Sequence, residues 1–210
     1  MSAHPQALIF DFDGTLADTM PLHFRAWQVL AKRHGFVFTR ERLYALGGVP
    51  TRDILQTLRA EQGLSFDHLA VAKEKEESYL ALLDEVEPIH EILAIAQAHH
   101  GLLPMAVASG GTRRVIERVL EHLGIRHLFA AVVTSEDVVN QKPAPDIFLE
   151  AAKRLGVPPQ QCRAYEDTEL GMAAIRAAGM DAVDVRTLLP APAHSTTEAG
   201  PPQSERASMA

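Results

Sequence analysis

Cysteine is nearly missing from this 210-residue chain: a single one, Cys162, excludes an intramolecular disulfide framework and any zinc site built on clustered cysteines. A reducing compartment is the natural setting. A basic excess is missing too. Lys and Arg number 20 against 27 Asp and Glu, a net charge of −7, so nothing drives broad binding to a phosphate backbone and no nucleic-acid partner is expected. No apolar run nears the roughly 18 to 20 residues that span a bilayer, and Met1 to Pro5 carries neither a basic start nor a long apolar core of a signal peptide. The expectation is a cytoplasmic monomer with no membrane partner. What is present is ordinary globular composition, 47% apolar and 22% charged, enough for one domain or one domain carrying an insertion.

Short apolar runs recur at 7–10, 105–108, 130–133, 163–165 and 182–185, and read as buried strands. Between the later ones lie helical patterns: Val115, Ile116, Val119, Leu120 and Leu123 share one face, as do Ile147, Phe148, Ala151, Ala152 and Leu155. Strands alternating with helices predict an α/β fold, a parallel sheet covered on both faces. One connection breaks the rhythm, because the second convincing strand begins near Pro104, whereas a crossover needs only about a dozen residues. The spacing predicts an inserted helical cap, with helices over 21–34, 40–46, 51–59 and 66–84 separated at Gly35, Gly47-Gly48 and Gly63. Core at 1–16 and 86–188, cap at 17–85 and a loose tail at 189–210 is the expected division. The run Lys73-Glu74-Lys75-Glu76-Glu77 in the last cap helix reads first as a solvated face.

In an open parallel sheet, ligands sit beyond the carboxyl ends of the strands. The polar residues collect there: Asp11 and Asp13 after the first strand, Ser109-Gly110-Gly111 after the second, Ser135-Glu136-Asp137 and then Lys142 after the third, Glu166-Asp167 after the fourth. Each alone has a bland reading, Ser109 as a helix cap or Asp167 as a loop acid. Together, hard carboxylate oxygens without a Cys or His cluster describe a Mg²⁺ site that shares its shell with a phosphate. Two acids two residues apart, turned by Gly14, allow one carboxylate to attack phosphorus while the other handles the leaving-group proton. Lys142 would neutralise charge, and Ser109 with nearby amides would hold phosphoryl oxygens.

Through Asp11-Phe12-Asp13-Gly14-Thr15-Leu16, Ser109, Lys142-Pro143-Ala144-Pro145-Asp146 and Glu166-Asp167-Thr168 leading to Gly171, the chain resembles the haloacid dehalogenase superfamily. The resemblance runs to about Arg186 and implies a Rossmann-like three-layer core with a helical cap. It implies Asp11 as the nucleophile that becomes an aspartyl phosphate, Asp13 as general acid and then base, and Lys142 and Ser109 as catalytic partners. It also implies Mg²⁺ held by Asp11, the Asp13 carbonyl and Asp167, with Glu166 as a further ligand or a group behind them, and Thr15 and Gly110 at the substrate. The second acid separates phosphoryl transfer from dehalogenation, whose branch has one Asp in this motif.

Within the superfamily, His23-Phe24-Arg25-Ala26-Trp27 and residues 142–148 are similar to beta-phosphoglucomutase. A mutase must grip a second phosphate, and in that branch a cap Arg does so where this chain has Thr51, with Arg52 one residue along and about 100° around a helix. A neutral Thr gives no bidentate phosphate contact. The whole chain looks closer to the fructose-1-phosphate phosphatase-like branch, which implies hydrolysis of small sugar phosphates. A mutase and a non-catalytic sugar-phosphate-binding protein are the alternatives. Lys75 aligns with a cap Lys of both branches, which sets a substrate contact against the solvated-face reading, and His23 is either a residue that closes the cap or a packed one. Trp27 reads as cap core, Cys162 as a buried strand residue and His99-His100 as surface.

Overall fold

The computed structural model describes residues 4–190, so residues 191–210 of the expected tail lie outside the described residues. The elements in chain order are β1 (Ala7–Phe10), α1 (Met20–His34), α2 (Arg40–Ala45), α3 (Thr51–Glu61), α4 (His68–Leu80), α5 (His90–His99), β2 (Met105–Ala108), α6 (Arg113–His122), β3 (Ala131–Val133), α7 (Asp146–Leu155), β4 (Cys162–Glu166), α8 (Glu169–Ala177) and β5 (Asp181–Asp184). All sheet pairings are parallel, in the order β3-β2-β1-β4-β5. The strands are short and mostly apolar because side chains on both faces are covered.

The two faces differ in kind. Leu8, Phe10, Met105, Val107, Val132 and Tyr165 point to one side and pack with α5 and α6. Ala7, Ile9, Ala106, Ala108, Ala131 and Ala164 point to the other and meet α7 and α8. Alternation with period two thus builds a three-layer, Rossmann-like core from near-continuous apolar runs. A separate cluster, centred on Trp27, Leu30, Leu55 and Leu58, holds α1 to α4 together as the inserted helical cap. Trp27 is 1% exposed and stacked 4.3 Å from Phe38, the cap-core role expected of it.

The expected helix over 66–84 is shorter. Asp67 accepts from the Leu69 and Ala70 amides and so starts the helix, and the chain leaves it after Leu80 because Leu80, Leu82 and Leu83 turn onto the sheet-side core. The last strand also ends one residue early, Val185 being buried at the start of a short 3₁₀ turn. Among the described residues, no helix is long and apolar enough to cross a membrane.

Candidate active site

The strand order reverses between β1 and β4, where an open sheet leaves a crevice at its carboxyl end. Asp11 leaves β1 there, and the Phe12 carbonyl accepts the amides of Thr15, Leu16 and Ala17, folding the chain into a tight loop. Gly14 is required twice over: its φ is +85°, and a Cβ would collide with the Asp167 carboxylate.

Lys142 is the hub of the buried end. Its ammonium, 1% exposed, donates to Asp11 Oδ1 and to Glu166 Oε2, each at 2.6 Å. Burial opposes this charge, yet the two carboxylates hold the amine well above its usual value. Glu166 uses both oxygens on the protein, because Oε1 accepts from the Asp167 and Thr168 amides and the Thr168 hydroxyl. Lys142 holds Glu166 ionised against its burial. Burial and then the neighbouring acids push Asp11 up to about 7 and Asp167 up to about 9. Oxygens of Asp11, Glu166 and Asp167 lie within 4.8 Å of one another. Ionised together around one ammonium, the three carboxylates would leave two negative charges in excess; protons on Asp11 and Asp167 relieve that excess in the metal-free site, and a divalent cation with oxygen ligands fits in their place. Since Glu166 is fully bonded, Asp11 and Asp167 are the acids with oxygen to offer, and Glu166 stands behind them.

Asp13 belongs to a different network. Its Oδ1 accepts from the Thr19 hydroxyl at 2.7 Å and lies 3.0 Å from His23 Nε2, while Ser109 donates to Oδ2 over a long 3.4 Å. His23 Nδ1 lies 2.7 Å from Lys75 Nζ, so a protonated Lys75 makes Nδ1 the acceptor and leaves the Nε2 proton to point at Asp13. Burial works against the charge on Asp13, but His23 and the hydroxyl bring it down to about 2. Burial and the Lys75 charge lower His23, which keeps the ring neutral. The imidazole is stacked on Tyr79 with centroids 4.1 Å apart.

These groups wall a cavity of about 390 Å³ between the sheet end and α1, α3 and α4. The structure brings Asp11, Asp13, His23, Thr51, Arg52 and Lys75 to its wall, along with Gly110. Gly110 abuts the cap loop so closely that a Cβ would strike the Gly48 carbonyl. Arg52 leans toward Asp53, 3.5 Å away. Thr15 corrects an expectation: it is fully buried off the cavity wall and its hydroxyl donates to Asp167 at 3.2 Å, so it orients an acid instead of touching substrate. The solvated reading of the charge run also fails at Lys75, which is 5% exposed. Asp137 does not join the strand-end acids. It accepts from Thr134, Arg113 and Arg154 and ties β3 to α6 and α7. Cys162 is buried in β4, its thiol pushed up to about 11 by burial.

Two contributors escaped the sequence reading. Thr19 precedes α1 as an unremarkable N-cap, yet its hydroxyl serves Asp13. Tyr79 sits four residues after Lys75 and so on the same helix face, the one signal that was there to read. Its hydroxyl is buried with no hydrogen-bond partner among the described residues.

The chain is 45% identical over 182 residues to the fructose-1-phosphate phosphatase YqaB of Escherichia coli, covering 86% of this chain and 96% of that protein. It is 32% identical to the beta-phosphoglucomutase of Bacillus subtilis, covering 86% and 83%. The crystal structure of a beta-phosphoglucomutase from Clostridium difficile superposes with a TM-score of 0.77 at 29% identity, covering 88% and 87%. With residues 8–185 matching the model of the haloacid dehalogenase-like hydrolases, the chain belongs to that family.

Proposed function

We propose that this protein is a Mg²⁺-dependent phosphatase that hydrolyses small sugar phosphates, fructose 1-phosphate foremost, through an aspartyl-phosphate intermediate. The observation that carries the reading is the meeting of groups from two strand ends and one loop under a helical cap: Asp11 and Asp13 after β1 wall the cavity, Ser109 after β2 donates to Asp13, and Lys142 from the loop before α7 donates to Asp11. The similarity to a fructose-1-phosphate phosphatase supports the choice of sugar. In this reading residues 1–16 and 86–188 are the core that carries the chemistry, and 17–85 the cap that selects the sugar.

Asp11 attacks phosphorus with the oxygen not bonded to Lys142, the bond from phosphorus to the sugar oxygen breaks, and Asp13 gives that oxygen its proton. The incoming phosphate adds negative charge beside Asp13, which raises its proton affinity and loads it for this step. Asp13 then takes a proton from water, and the water oxygen displaces Asp11, releasing phosphate and restoring both carboxyl groups. Ser109 and the amides beside it hold the phosphoryl oxygens, and Lys142 keeps Asp11 aimed. A bound Mg²⁺, held by Asp11, Asp167 and the Asp13 carbonyl with Glu166 behind them, supplies charge neutralisation for the phosphoryl group. Thr51 and the paired Arg52 offer poor grip for the second phosphate that a mutase must hold.

The test is free-phosphate release from fructose 1-phosphate, 6-phosphogluconate and other hexose and pentose phosphates, with and without Mg²⁺. Release is expected to need Mg²⁺ and to fall by at least about a thousand-fold in Asp11→Asn with the fold intact. Activity near wild type in that variant would overturn the assignment. Conversion of beta-glucose 1-phosphate without phosphate release would make the enzyme a mutase.

A further inference from the structure

Besides the bonds from Thr19 and His23 to Asp13, two side-chain contacts join α4 of the cap to the first turn of α6 in the core. The Thr112 hydroxyl donates to Glu76 Oε1 at 2.9 Å, and Arg114 Nη1 donates to Glu77 Oε1 at 2.7 Å. They differ in surroundings. Arg114 and Glu77 are 51% and 53% exposed, and an ion pair so accessible to water contributes little. Glu76 and Thr112 are half-buried and both line the cavity.

Thr112 occupies the N-cap of α6, with φ −80° and ψ 152°, where a Thr side chain ordinarily accepts from an amide two or three residues on. Here it makes no such bond. Glu136 serves that helix end, accepting from the Arg113 amide at 2.7 Å, which leaves the Thr112 hydroxyl to face α4. Among the described residues only Thr112 donates to the Glu76 carboxylate, through Oε1, so Oε2 remains as an acceptor at the cavity. A carboxylate only accepts hydrogen bonds, and it attracts hydroxyls while repelling anions. Lys75 next to it turns its ammonium toward His23 and Asp13. Helix α4 therefore presents a cation toward the reacting end of the cavity and an acceptor beyond it. A sugar phosphate has the matching polarity, an anion at one end and hydroxyls along the rest.

We propose that Glu76, with Thr112 as its partner across the cavity, is the residue that selects the sugar, its carboxylate accepting hydrogen bonds from substrate hydroxyls. This rests on the sugar-phosphatase reading above. Because the same carboxylate binds Thr112, a hydroxyl that reaches it ties sugar recognition to the seating of the cap.

The experiment compares wild type, Glu76→Ala, Glu76→Gln and Thr112→Val on fructose 1-phosphate and on p-nitrophenyl phosphate, which carries no sugar hydroxyl. In Glu76→Ala the ratio of kcat/KM for the sugar phosphate to that for p-nitrophenyl phosphate is expected to fall about 10- to 100-fold, mostly through KM. Glu76→Gln, which keeps one acceptor oxygen and the shape, should give a smaller fall in the same ratio, and it carries the test if the alanine variant unfolds. Thr112→Val should lower the ratio by no more than about three-fold, since the acceptor remains. An equal loss on both substrates, or equal effects of Glu76→Gln and Thr112→Val, would mean that the pair only fastens the cap, and the proposal falls. Wild-type protein that hydrolyses p-nitrophenyl phosphate and no sugar phosphate would instead overturn the function itself, and this proposal with it.

Discussion

Among the described residues the Lys75 ammonium has one hydrogen-bond acceptor, His23 Nδ1, and otherwise faces the rings of Trp27 and Tyr79 at 5.8 and 5.4 Å. Burial pulls it down to about 8 from 10.5, although Asp13 draws it the other way. Between those two values the unfolded chain binds the proton and the folded chain releases it, so the stability lost to this buried charge is recovered as pH rises from about 8 to 10.5. Lys75→Met keeps the length and removes the charge. It is expected to raise stability by about 1–3 kcal/mol at pH 7, to lose that advantage near pH 10.5, and to lower kcat/KM by about ten-fold or more. Thermal unfolding at the two pH values beside phosphate release checks it, and a lower melting temperature at pH 7 would show that the ammonium stabilises the fold. Burial of Lys75 was the hardest site feature to read in advance. Consecutive helix residues stand about 100° apart, so a five-residue charge run points in every direction and only packing decides which member goes inside.

Element α4 brings Lys75, Glu76 and Tyr79 to the cavity, and its start depends on one carboxylate. Asp67 accepts from two of the four amides that a helix leaves unpaired at its beginning. Asp67→Ala is expected to cost about 1 kcal/mol, read as a lower urea midpoint with unchanged slope. Activity should stay within about two-fold, because Lys75 lies two turns further along and fraying is confined to the first turn. A large activity loss with no shift in the midpoint would refute this. The strands were legible because each apolar run stops at a polar residue, as Phe10 does at Asp11 and Ala108 at Ser109. The helix ends were less so: nothing in residues 81–84 breaks a helix, and α4 stops because its leucines have a sheet to cover. Thr19 and Thr112 were opaque for a related reason. Both stand where a Thr caps a helix, yet the Thr19 hydroxyl goes back to Asp13 six residues earlier and the Thr112 hydroxyl to Glu76, 36 residues away on another helix.

At the scale of the molecule, the end of β1 and the end of β4 are forced together by strand pairing, with Phe10 opposite Tyr165 and the Asp11 amide bonded to the Tyr165 carbonyl. Chain topology therefore crowds Asp11, Glu166 and Asp167 whether or not a cation is present. Their strand-end positions were legible in the sequence, but their repulsion is a consequence of the fold. Lys142 offsets part of it, and the rest weakens the metal-free protein. A cation that binds only the folded state reverses the sign, adding about 2.7 kcal/mol at a hundred times its dissociation constant. Asp167→Asn removes both an acid that the metal-free fold must hold protonated and a carboxylate ligand for the cation, so its effect should change direction with metal. In EDTA the variant is expected to melt above wild type, and in excess Mg²⁺ below it, with little Mg²⁺-dependent shift of its own. Melting curves of both proteins under the two conditions decide the matter: if Mg²⁺ leaves the wild-type curve unmoved, the acids are not a cation site, whereas a shift of equal size in both proteins would place the cation away from Asp167. The crossing of the two orders is the signature of a fold that concentrates negative charge for a ligand.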